Sequence, residues 1–106
     1  PDVVAYLLEI GLVKSYLDKV FVQRVERKEN KITVQFEKVT QRLFLAQDYF
    51  KALSATNLKV AITENKGLME VVFDVRNKKD YEILEGLLIF GESLLEIKES
   101  KEANSL

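Results

Sequence analysis

Two hairpin patterns constrain this chain more than any other feature. Leu58, Val60 and Ile62 alternate with Lys59, Ala61 and Thr63; Asn65-Lys66-Gly67 turns the chain; Met69, Val71, Phe73 and Val75 then mark the buried side of a further strand. A period of two places alternate side chains on one face of a half-buried strand. Gly67 is free to take the left-handed conformation of a tight hairpin. An earlier stretch reads the same way. A strand over about Val20 to Arg27 leads into Lys28-Glu29-Asn30, where Asn30 tolerates positive φ. Ile32, Val34 and Phe36 then alternate with Thr33, Gln35 and Glu37. Two hairpins most simply form a four-stranded antiparallel sheet with one apolar face, and that face needs helices to cover it.

Helical periodicity supplies them. Pro1-Asp2 suits a helix start, because Pro is tolerated in a first turn and Asp favours its positive dipole end. Val3, Leu7, Ile10, Val13 and Leu17 then recur at helical spacing, with Tyr6 beside them. A second stripe, Val4, Leu8 and Leu12, lies off that face. It calls for cover from the last helix, from residues upstream of Pro1, or from a partner. Thr40 is placed to N-cap a second helix with the face Leu43, Ala46, Phe50 and Leu53, leaving Phe44 to the side. Asn77 and Asp80 have the spacing of a capping box for a third helix over about Lys78 to Ile97. At about 100° per residue its apolar arc (Ile97, Phe90, Ile83, Leu94, Leu87, Leu84, Leu95, Leu88) is wider than one covered face requires. The expected fold class is therefore α+β, a two-layer sandwich of an antiparallel four-stranded sheet with helices in the order αββαββα. Residues 1–97 form one domain, and residues 98–106 read as a polar flexible C-terminal tail.

Composition narrows function by what it lacks. The 106 residues contain no His, Cys or Trp, so the side chains that most often run chemistry near neutral pH are missing. A net charge of −1 provides no broad field for nucleic acid or an anionic membrane. No apolar run approaches the roughly 18 residues of a membrane-spanning helix. No basic segment followed by an apolar one opens the chain, so no signal peptide is expected. The first residue is Pro and the one Met is Met69, which reads as a fragment of a longer chain with its front part missing.

Each candidate site stands beside a plainer reading. Gly86 to Ser93 has the spacing of a phosphate-binding loop, but Glu92 stands where that loop needs Lys, and the segment is apolar and helical. Gly91 is better read as permitting close helix packing. Arg76, Lys78 and Lys79 make a small basic knot without a stacking aromatic, which reads as a solvated turn. No D-x-[DN]-x-[DN]-G loop is present, no metal or cofactor is expected, and no carboxylate pair sits in a clearly apolar setting. The face of the third helix opposite its apolar arc collects Glu82, Glu85, Glu92 and Glu96 with Ile89 among them. That is either a solvated face with one stray Ile or a protein-docking patch.

The order of elements and four segments resemble a known family. PDVVAYLLEIGLVKSYL, KITVQFEK, KGLMEVVFDVR and EILEGLLIFGESLLEI are similar to helices and strands of the C-terminal domain of bacterial transcription-repair coupling factors. The family's Asp-Arg-Phe-Gly segment would lie just before Pro1. None of its ATPase motifs occurs here, so the resemblance carries over no catalytic residue. It implies a cytoplasmic parent, an ATP-dependent double-stranded DNA translocase that contacts RNA polymerase and recruits an excision-repair protein. It implies a non-catalytic regulatory role for this domain, autoinhibitory through contact with the N-terminal repair-protein-binding module. Direct nucleic-acid binding by the domain is not expected. The rival readings are a small-ligand sensor or dimerisation domain of repeated αββ units, a carboxylate enzyme, and a nucleic-acid binder with a contiguous basic face.

Overall fold

The computed structural model describes the backbone of residues 2–104 and the side chains of residues 10–104. The elements are α1 (Asp2–Lys19), β1 (Val22–Lys28), β2 (Lys31–Phe36), α2 (Thr40–Leu43), α3 (Ala46–Leu53), β3 (Lys59–Asn65), β4 (Leu68–Asp74) and α4 (Asp80–Asn104). The sheet is antiparallel throughout, in the order β1-β2-β4-β3. The expected α+β sandwich is borne out, and the two hairpins join through their second strands.

Local chemistry explains the turns. Lys66 and Gly67 both take positive φ, and Asn65 pairs opposite Leu68, so β3–β4 is a two-residue hairpin. In the first hairpin Glu29, not Asn30, takes positive φ. Asn30 instead offers its carbonyl to the Val75 N–H at 2.8 Å, which ties the turn to the end of β4.

The core lies between one sheet face and the helices. Ile32, Val34, Phe36, Val71 and Phe73 point inward, and all five are buried. Phe90 of α4 meets Phe36 and Phe73 edge-on, with ring centroids 6.2 and 5.5 Å away. Tyr49 meets Phe36 and Phe44 in the same way, at 5.3 and 5.5 Å. Such pairs each add about 1 kcal/mol beyond their area.

The second helix departs from expectation. It is broken, with Phe44 and Leu45 extended between α2 and α3. Leu43 is half-buried and Leu53 buried, but Ala46 is exposed and Phe50 is 59% exposed; Phe44, Tyr49 and Ala52 go inward instead. In one continuous helix, residues 44 and 49 would stand about 140° apart, too far to share one core. The break lets both rings in. Thr40 does not cap; it is the first residue of α2, fully buried, and its hydroxyl donates to the Glu37 carbonyl at 2.7 Å.

The last helix also differs at both ends. Asn77 takes positive φ in a turn and does not cap, while the Lys79 carbonyl accepts the N–H groups of Glu82 and Ile83 at 3.0 and 3.1 Å. At its other end α4 passes Ile97 and runs to Asn104, so residues 98–104, expected as a tail, are helical. A local i,i+4 ion pair, Lys98 with Glu102 at 3.0 Å, and two tertiary contacts hold that extension. Lys101 pairs with Asp48 of α3 at 3.0 Å, and the Lys98 ammonium lies 5.4 Å from the centre of the Phe21 ring. Residues 105 and 106 lie outside the described residues.

On α1, Val13 and Leu17 are buried and Ile10 packs at the core edge. Leu12 of the second stripe is 43% exposed. Val3, Val4, Tyr6, Leu7 and Leu8 lie outside the described side chains. Gly91 does what close packing asks: a Cβ there would stand 3.0 Å from the Tyr16 Cβ of α1.

Candidate docking face of the last helix

The direction of α4 decides where its carboxylates go. Phe90, Ile83, Leu94 and Leu87 are buried, Gly91 faces α1, and Gly86 faces Leu58. These positions span about 140° of the helix circumference, and the buried Leu84 and Leu95 widen the covered arc to about half. The remaining arc turns away from the sheet. Glu85, Glu92 and Glu96 stand on it, all exposed, while Glu82 and Ile89 are half-buried at its border. The structure therefore brings the five sequence-predicted residues onto one side of one helix.

That side is notched rather than flat. Ile89 lines a small recess of about 70 Å³ with Leu58, Gly86, Glu82 and Glu85. Lys78 closes one end of it and pairs with Glu82 at 3.8 Å. Ile89 is thus half-buried rather than fully exposed, and it shares the lining of this recess with two carboxylates, Glu82 and Glu85. Further along, Glu96 stands over a groove between α3 and α4 of about 390 Å³, lined also by Asp48, Lys51, Ser93, Ile97 and Lys101. Burial pulls the Asp48 carboxyl upward, but the Leu45 N–H, donating at 2.8 Å, and the Lys101 ammonium outweigh it and hold its pKa below the ordinary value.

The other sequence candidates fall apart as sites. Gly86 to Ser93 lies inside α4 with both glycines packed against neighbours, so no loop is there to cradle a phosphate. The basic knot is only partly kept together: Arg76 and Lys78 line one hollow with Lys59 and Asp74, Lys78 also pairs with Glu82, and Lys79 is exposed. Among the described residues no group of three acidic side chains is arranged to hold a metal ion, and no helix is long and apolar enough to cross a membrane. What the sequence reading missed is a row of lysines assembled by the sheet. Lys28 and Lys31 flank the first hairpin turn, but Lys59 is distant in the chain, and only strand register through Asp74 brings it into line with them.

Fold and face together define a two-layer α+β domain whose most distinctive surface is the carboxylate-bearing side of its last helix. The chain is similar to the crystal structure of the C-terminal domain of transcription-repair coupling factor, with 92% identity and a TM-score of 0.91 over 95% of this chain. This bears out the family resemblance read from the residues. The chain spans 63% of the length of that structure's chain. No family model and no curated protein matches it.

Proposed function

We propose that this domain is a non-catalytic regulatory docking module of a cytoplasmic, ATP-dependent DNA translocase that couples transcription to nucleotide excision repair. The similarity to the C-terminal domain of a transcription-repair coupling factor carries this reading. In it the domain holds the parent's N-terminal repair-protein-binding module and releases it when RNA polymerase is engaged. Release shifts a two-state population, so the contact needs only modest strength. The exposed Glu85, Glu92 and Glu96, with Glu82 and Ile89 at the recess, supply a surface for a basic partner with one apolar anchor. Rim charges set encounter rate and salt dependence more than affinity.

The experiment is calorimetric titration of the domain against the isolated N-terminal module at two salt concentrations. Salt-weakened binding is expected. Glu85→Lys with Glu92→Lys should weaken it about tenfold, since each exposed charge contributes a fraction of a kcal/mol and its reversal adds repulsion. Equal affinity for parent and variant would remove this face from the contact.

A further inference from the structure

The second charged feature lies on the side of the sheet that no helix covers. Lys28 pairs opposite Lys31, Lys31 opposite Asp74, and Asp74 opposite Lys59. Given the strand order, this row crosses the whole sheet, about 14 Å at about 4.8 Å per strand. Directly opposed residues share a face, and the neighbouring Ile32, Phe73 and Val75 are buried under the helices, so the row is on the open side. The three lysines are exposed, and among the described residues none takes part in an ion pair. Asp74 is the one carboxylate in the row, and one of its oxygens already accepts the Arg76 N–H. Arg76 continues the row into a hollow of about 220 Å³ shared with Lys59, Asp74 and Asn57.

Like charges directly opposite in an antiparallel pair are unfavourable. The Lys28–Lys31 pair closes a hairpin where register cannot slip to separate them. An acidic partner would turn that repulsion into attraction. The next row inward is Glu26, Thr33, Val72 and Ala61, with small or apolar side chains at its centre. The third is Arg24, Gln35, Glu70 and Thr63, where Gln35 donates to Glu70 at 2.8 Å. No aromatic stands in these rows to stack a base. Glu26, Asp74 and Glu70 interrupt the face, which leaves a short lysine row suited to a few carboxylates rather than the long basic track that a phosphate backbone follows.

We propose that the open sheet face is a second docking surface, which takes an acidic protein segment. Its carboxylates meet Lys28, Lys31 and Lys59, and an apolar side chain of the segment lies against Val72 and Ala61. This surface is on the opposite side of the domain from the acidic face of α4. The domain is thus built to stand between two partners of opposite charge.

The test uses the intact chain and a fluorescein-labelled peptide, Glu-Glu-Leu-Glu-Glu, followed by anisotropy at about 50 mM salt, where screening is weak. Binding is expected, about tenfold weaker for Lys31→Glu/Lys59→Glu and within about twofold for the exposed α1 control Lys14→Glu. Thermal unfolding checks each variant, and Lys31→Gln/Lys59→Gln serves if charge reversal disturbs the sheet. No binding by the unaltered chain, or equal binding by all variants, overturns the proposal. So does tighter binding of a DNA duplex of about 20 base pairs through the same lysines, which would make the partner a nucleic acid. A dimer in sedimentation that Lys31→Glu/Lys59→Glu and Glu85→Lys each dissolve would make it a second copy, and overturns the proposal as well.

Discussion

Gly91 and Tyr49 are the residues where single atoms decide most. A methyl group on Gly91 favours the helix by about 1 kcal/mol through propensity alone. It would also stand 3.0 Å from the Tyr16 Cβ, an atom fixed to the backbone of α1 that has no free rotamer to move into. Gly91→Ala is therefore expected to destabilise by about 1–2 kcal/mol, measured by urea unfolding; a stabilised variant would show that α1 yields. The Tyr49 hydroxyl is the opposite case. It is fully buried without a hydrogen bond of good geometry, beside the Thr40 hydroxyl, which donates elsewhere. Tyr49→Phe is expected to be neutral or stabilising by up to about 1 kcal/mol. Burial raises the Tyr49 pKa above its ordinary value, against a smaller downward pull from Thr40. The neutral phenol is thus the folded form, and stability is lost as pH rises through that raised value. An alkaline unfolding limb above about pH 10 should recede in Tyr49→Phe.

At the scale of elements, α3 shows how a short helix is held. It has only eight residues, too few to stand alone. Asp48 accepts the Leu45 N–H at its start and pairs with Lys101 near the far end of α4. Asp48→Ala removes both and should cost about 1–2 kcal/mol by thermal unfolding at neutral pH. Because the folded-state pKa of Asp48 is depressed, its contribution is present above the unfolded value of about 4 and lost as pH falls below it. The difference between the parent and Asp48→Ala should therefore shrink on acidification; a difference constant to pH 2 would assign the loss to packing. The same contact explains why α4 outruns its apolar pattern. Its last residues are polar in sequence and gain order from α3 and Phe21, across the fold.

For the whole molecule, a near-neutral total conceals two local charge clusters. A net charge of −1 reads as featureless along the chain. Folding puts carboxylates on the outer side of α4 and lysines on the open side of the sheet, with the core between them. Because these groups are exposed and make few contacts, charge reversal should act on binding and leave stability alone. Glu85→Lys with Glu92→Lys is expected to melt within about 2 °C of the parent. A large drop in melting temperature would mean that the face helps to hold the fold.

The sequence by itself determined the sheet, the two hairpins, the buried rows of β2 and β4, the apolar arc of α4 and the close approach at Gly91. Each of these is a periodic or local signal: alternation, a turn residue, a helical stripe, a missing side chain. The five residues of the α4 face were legible for the same reason, since one helix carries them all. Tertiary structure alone decided the break at Phe44 and Leu45, because it answers the demand of two rings for one core. It helped extend α4 to Asn104 through Asp48 and Phe21, partners far away in the chain, beside the local Lys98–Glu102 ion pair. It alone brought Lys59 into line with the hairpin lysines Lys28 and Lys31, because the register of β2, β4 and β3 is a relation between segments that no window along the chain contains.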